Sequence, residues 1–168
     1  TLAETASIFA ETLVRDSILN ECADDQDKLK ILWQNALSGA TLLINIPARF
    51  EFEKNLVEER VKRNLTPDQL KTMMNSAWKK WYGDTLSEYD SMFWASKLHF
   101  SISGLSFYNY PYLFGYLFSL GLYSQKNSEN FSGTYNNILR DTGKMTAEEL
   151  ISKYLSEDIE KSDFWING

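Results

Sequence analysis

The chain has 168 residues, which suits one domain and is long enough to bury a sizeable core. Its formal net charge of -6, with no Lys/Arg cluster, argues against a nucleic-acid partner, because phosphate binding needs a basic patch. Hydrophobic residues make up 43% and aromatic residues 14%, so an interior rich in large rings is expected.

The periodicity is helical nearly throughout, and an all-α, multi-helix domain covering residues 1–168 is expected. Leu2 to about Asn20 carries Leu2, Ala6, Phe9, Leu13 and Val14 at helical spacing. Asp24-Asp25 is a cap for a second, long helix with Leu29, Leu32, Trp33, Leu37 and Leu43. Pro47 falls inside that run and predicts a kink or a split, since it lacks a backbone donor and clashes one turn back. The pattern resumes through Phe50, Phe52, Leu56 and Val57.

Thr66-Pro67-Asp68-Gln69 reads as a capping box opening a helix that runs to about Tyr82, with Gly83 as its stop. A shorter segment is expected over Ser87 to Trp94. Phe100 to Ser106, with Ser101, Ser103 and Gly104, reads as a loop. Further helices are expected from near Phe107 past Tyr123, and from Ser128 or Glu129 to before Gly143. Thr146-Ala147-Glu148-Glu149 is a second capping box, and Ser162 a cap for a last turn with Phe164 and Trp165.

Cys22 is the single cysteine, so an internal disulfide is impossible and a reducing cytoplasm is the expected location. The chain enters an amphipathic pattern directly at Thr1 with no initiating methionine, which leads to the expectation that sequence lies upstream.

Two segments hold residues suited to chemistry. In Leu2-Ala3-Glu4-Thr5-Ala6-Ser7-Ile8-Phe9-Ala10-Glu11, Glu4 and Glu11 share one helical face with Ser7 between them, bordered by Ala3, Ala6 and Ala10. Spacing alone leaves two readings open, a solvated acidic face and a buried metal or acid–base site. The second segment, Leu98 to Gln125, contains no Asp, Glu, Lys or Arg, and its His99 is the only histidine of the chain. Interrupting Ser, Asn and Gly residues and the hydroxyls of Tyr108, Tyr110, Tyr112, Tyr116 and Tyr123 argue against a membrane span. A packed core helix is one reading of it. A stripe of hydroxyls at Tyr108, Tyr112 and Tyr116, seeking hydrogen-bond partners such as a peptide, is the other.

Together these stretches resemble the oligoendopeptidase F branch of the thimet-oligopeptidase-like zinc metallopeptidases. Leu2-Ala3-Glu4-Thr5-Ala6-Ser7-Ile8-Phe9-Ala10-Glu11 looks like the family stretch just after HExxH. His99-Phe100 resembles its histidine-aromatic motif, and Phe107-Tyr108-Asn109-Tyr110-Pro111-Tyr112-Leu113-Phe114-Gly115-Tyr116 its tyrosine-rich substrate segment. Asp141-Thr142-Gly143-Lys144-Met145 and Asp163-Phe164-Trp165 are also similar. The resemblance implies the C-terminal half of a zincin-like catalytic domain, acting on short peptides with one Zn2+ per full active site. It implies Glu4 as the third zinc ligand and Glu11 as a carboxylate orienting a ligand histidine. It implies His99, Tyr108 and Tyr112 as hydrogen-bond donors to substrate or developing oxyanion.

The chain departs from the family in lacking HExxH, so two ligands and the general base are expected upstream of Thr1, and the chain alone is expected to be inactive. Its expected partners are short peptides, the zinc-bearing part of the same protein, and a second copy through an exposed apolar face. A non-catalytic helical module binding peptide or protein is the alternative, and a purely structural helical domain a third.

Overall fold

A computed structural model describes residues 2, 4–102 and 104–168; Thr1, Ala3 and Ser103, all named above, lie outside the described residues. Among the described residues the regular structure is helical, with no strand and a single isolated bridge between Thr142 and Met145. The chain divides into two compact units, Thr1–Leu32 with Phe114–Gly168, and Trp33–Leu113.

In the first unit, α1 spans Thr5–Glu21 and starts later than its apolar pattern, because Leu2 closes a turn onto the Thr5 N–H (3.1 Å) and Glu4 becomes the N-cap. Asp24 Oδ1 accepts the N–H groups of Gln26 (2.8 Å) and Asp27 (3.0 Å), the capping expected for α2, Asp25–Ala40. Asp25 and Asp27 add negative charge at that helix's positive end. The later elements are α6, Tyr110–Ser124, α7, Phe131–Asp141, α8, Ala147–Leu155, and α9, Ser162–Ile166; α2 from Trp33 on and α6 up to Leu113 belong to the second unit.

α7 opens at Phe131, two or three residues past the expected start, because Asn130 turns into the left-handed region (φ 55°), which asparagine tolerates well. Thr146 and Glu149 form the expected box at α8 (3.2 and 2.9 Å). Ser162 is the first residue of α9 rather than its cap; Lys161 holds that position.

Phe9, Phe118, Leu122, Ile138, Leu150, Ile151, Ile159 and Phe164 make this unit's core. α6 approaches its neighbours through glycines. A Cβ at Gly115 would lie 3.3 Å from Glu4 Cβ, and one at Gly121 2.5 Å from the buried Phe164 ring. Asp141, at the end of α7, accepts from Lys153 (2.8 Å) and Tyr154 (2.5 Å) of α8, and these bonds hold its carboxyl well below the usual range.

In the second unit, the π-helical turn Thr41–Asn45 is followed without a break by α3, Ile46–Arg60. Pro47 thus neither splits nor ends the helical run. Its ring would strike the carbonyl four residues back, and the wider turn just before it accommodates the missing bond.

Ala48, Phe52 and Leu56 form the buried row of α3, and Met74, Ala77 and Trp78 that of α4, Pro67–Tyr82. Fully burying one such large side chain contributes about 1.5–3 kcal/mol. Lys80 pairs with Glu51 across these helices at 2.9 Å. The capping box of Thr66 and Gln69 forms as expected (3.3 and 2.9 Å), and Gly83 ends α4 at φ 58°.

The helix expected over Ser87 to Trp94 shrinks to α5, Phe93–Ser96. Asp90 accepts Trp78 Nε1–H (3.0 Å) and the Phe93 N–H (3.3 Å) on its carbonyl and the Met92 N–H on its carboxylate (3.0 Å), a capping pattern that places the helix start after Asp90 rather than at Ser87. A 3-10 turn, Leu98–Phe100, follows.

Several apolar side chains are exposed, among them Val14 and Ile18 of α1 and Leu29 (66%), Leu32, Trp33 (61%) and Leu37 of α2. Among the described residues no helix is long and apolar enough to cross a membrane.

Candidate functional site

The second unit gathers a polar cluster from three stretches of chain. α3 supplies Arg49 and Glu53, one turn apart and in the row beside Ala48, Phe52 and Leu56. The 3-10 turn supplies His99. The approach to α6 and its first turn supply Tyr108, Asn109 and Tyr112.

The approach is shaped by Phe107, a non-glycine residue at φ 53°, so the helix expected from Phe107 begins only at Tyr110. Such a conformation is uncommon for a bulky side chain and costs of order 1–3 kcal/mol. Two contacts offset it. The Phe107 N–H donates to Glu53 Oε1 at 2.5 Å, and its ring lies 5.5 Å from that of Phe50. Past this turn Tyr108 is 44% exposed while Asn109 is 4% exposed.

Of the residues picked from sequence, His99, Tyr108 and Tyr112 come together. The His99 and Tyr108 rings lie 5.7 Å apart, and the Tyr108 and Tyr112 hydroxyls are 3.0 Å apart. Either hydroxyl can donate in that bond, and when Tyr112 does, the Tyr108 O–H remains able to donate elsewhere. Burial lowers the proton affinity of His99, and the nearby Arg49 and Lys97 charges lower it further, so both favour the neutral ring.

Three partners of this cluster were not picked out from sequence. Asn109 Nδ2 meets His99 Nε2 at 2.8 Å, and Asn109 Oδ1 accepts from Arg49 Nη1 at 3.4 Å. Arg49 also stacks over the Phe93 ring, 4.8 Å from its centroid. Glu53 is buried (4% exposed) and anchors the Phe107 turn. The available signal was Arg49 and Glu53 four apart beside a core row, and Asn109 as the one amide inside a run of aromatics.

Burial pushes the Glu53 carboxyl above its ordinary value of 4.5, with the Phe107 N–H partly opposing. A raised folded value means the folded chain holds this proton more tightly than the unfolded one. The stabilising contribution is complete below 4.5 and is lost as pH rises through the raised folded value. Glu53→Gln keeps an acceptor for Phe107 and never ionises. Its thermal midpoint is expected to stay flatter than the wild type's as pH rises from about 4 to 7; curves that run parallel across this range would refute the assignment.

Glu4 and Glu11 sit on α1, in the other unit. Glu4 is partly buried at the helix start, where Ser7 Oγ donates to its Oε2 (3.1 Å) and its carbonyl (2.9 Å). Glu11 is bonded to Arg15 at 2.6 Å along the helix. Among the described residues no group of three or more His, Cys, Asp or Glu side chains could hold a metal ion.

The second unit also has a cavity of about 680 Å³, lined by Phe52, Leu56, Leu70, Trp94 and Phe100 with Arg60 and Arg63. Trp94 Nε1 is buried and has no hydrogen-bond partner. No family model, no curated protein and no solved structure matches the chain.

Proposed function

We propose that this chain is part of a zinc-dependent endopeptidase of short peptides, and that it supplies the hydrogen-bonding wall of the active site and one carboxylate ligand. The observation that carries the reading is the meeting of His99, Tyr108 and Tyr112 in one cluster. These are the three residues that the resemblance to the oligoendopeptidase F branch selects. Neutral phenols, with an ordinary pKa of about 10, remain donors at neutral pH, and so suit a peptide carbonyl that gains negative charge.

The residues described here do not make a zinc site by themselves. In this reading Glu4 is one ligand, the remaining ligands and the general base come from an HExxH segment outside this sequence, and the chain alone is inactive. Zinc, when bound, polarises the carbonyl and activates water. The exposed apolar residues of α2 support a role in docking that segment or a second copy.

Sequencing upstream of Thr1 and assaying zinc in the longer protein test this proposal. The longer protein is expected to carry HExxH and one zinc, and Glu4→Gln to lose most of that zinc. An upstream sequence without HExxH would overturn the enzyme reading. Glu4→Gln with undiminished zinc would overturn the ligand assignment. The cavity bordered by Arg60 and Arg63 favours the second reading, a module binding peptide or protein without catalysis.

A further inference from the structure

The chemistry of the groups around His99 fixes more than its position. Arg49 is a guanidinium, which can only donate hydrogen bonds, so the Asn109 atom facing it must be the amide oxygen. The amide nitrogen, with its two N–H bonds, is thereby turned toward His99 Nε2, 2.8 Å away. A ring nitrogen facing an N–H donor at that distance must offer its lone pair. In a neutral imidazole the proton is then on Nδ1.

We propose that Asn109, oriented by Arg49, is a positioning residue that holds His99 as its Nδ1–H tautomer. Nε2 is committed as an acceptor to the chain itself, and Nδ1–H is the one proton that His99 can donate to a ligand. Asn109 is suited to this because it is almost fully buried, so water does not compete for either end of its amide. Its backbone carbonyl also accepts the Tyr112 N–H at 3.1 Å, which ties the amide to the first turn of α6. Protonating Nε2 would set two donors against each other. Lys97 and Arg49, the charged groups acting on the ring, disfavour the imidazolium as well. The consequence for turnover rests on the peptidase reading, since it makes Nδ1–H the donor to substrate; the tautomer itself does not.

His99 is the sole histidine, so a long-range proton–nitrogen NMR spectrum of the uniformly nitrogen-15-labelled chain shows one imidazole without assignment work. At neutral pH the expected pattern is a proton-bearing Nδ1 and a bare Nε2, the reverse of the tautomer that free histidine prefers. Asn109→Asp presents only acceptors, and is expected to move Nε2 to the proton-bearing position. Arg49→Met frees the amide to turn, and is expected to give averaged shifts between the two tautomers. A wild-type spectrum with a bare Nδ1 would overturn the proposal without any variant having to fold. So would an Asn109→Asp spectrum unchanged in a chain whose amide dispersion shows it folded. Unchanged shifts in folded Arg49→Met would remove Arg49 from the proposal. None of these readings uses zinc or peptide cleavage, so failure of the peptidase reading leaves them intact.

Discussion

If the proposed peptidase reading holds, Tyr108→Phe, made in the longer protein with the zinc-binding segment that it requires, is expected to lower turnover at least about 100-fold with little change in thermal stability. Tyr108 is 44% exposed, so removing its hydroxyl leaves no buried orphan, and the ring that faces His99 is kept. The bond lost inside the chain is the one to the Tyr112 hydroxyl, a contact between exposed groups worth about 1 kcal/mol at most.

A donor aimed at a developing oxyanion is a different matter. Deleting one costs about 3–4 kcal/mol of transition-state stabilisation, because its strength grows as charge appears on the oxygen. The expected signature is therefore a fall in kcat with KM nearly unchanged. A variant that folds and turns over at the wild-type rate would remove Tyr108 from the mechanism. A variant that loses activity only in proportion to lost folding would mark it as packing.

Phe118→Ala is expected to destabilise the first unit by about 3–5 kcal/mol, the largest stability effect anticipated for a single truncation here. Phe118 is fully buried, lies 5.5 Å from the stacked Phe114 ring and 5.6 Å from that of Phe164, and has Leu122 one turn further along α6. Its loss removes a large apolar area from the core and leaves a void. The flanking rings cannot readily fill that void, because Gly121 already lets Phe164 approach α6 as closely as the backbone permits. Urea unfolding followed by circular dichroism measures the change. Val61→Ala, at a position 84% exposed, serves as the reference and should fall within about 0.5 kcal/mol of wild type. A Phe118→Ala value close to that of Val61→Ala would mean that the core assigned to this unit is not its stabilising centre.

What the sequence by itself determined is the layer that depends on neighbours within about one helical turn. Thr66 with Gln69 and Thr146 with Glu149 form their boxes, Asp24 caps α2 and Gly83 stops α4, because each device closes over two to four residues. The all-α class follows from the same local signals. Those signals fail where distant groups compete for the backbone. The Asp90 carbonyl is also bonded by Trp78 Nε1–H from α4, and Phe107 is held in a left-handed turn by Glu53, 54 residues away in sequence.

The site divides in the same manner. His99, Tyr108 and Tyr112 could be picked out as an uncharged, hydroxyl-bearing stretch with the only histidine. Their arrangement into a cluster, and the recruitment of Arg49, Glu53 and Asn109 to it, was decided by tertiary structure alone. The Arg49–Asn109 bond spans 60 residues, and no local spacing encodes a contact of that kind. It forms because α3 buries its Phe52 row in the core and so carries the adjacent Arg49–Glu53 row in beside it. There the buried Glu53 carboxyl takes the Phe107 N–H and the partly buried Arg49 donates through Nη1 to Asn109, while Arg49 Nε keeps no hydrogen-bond partner.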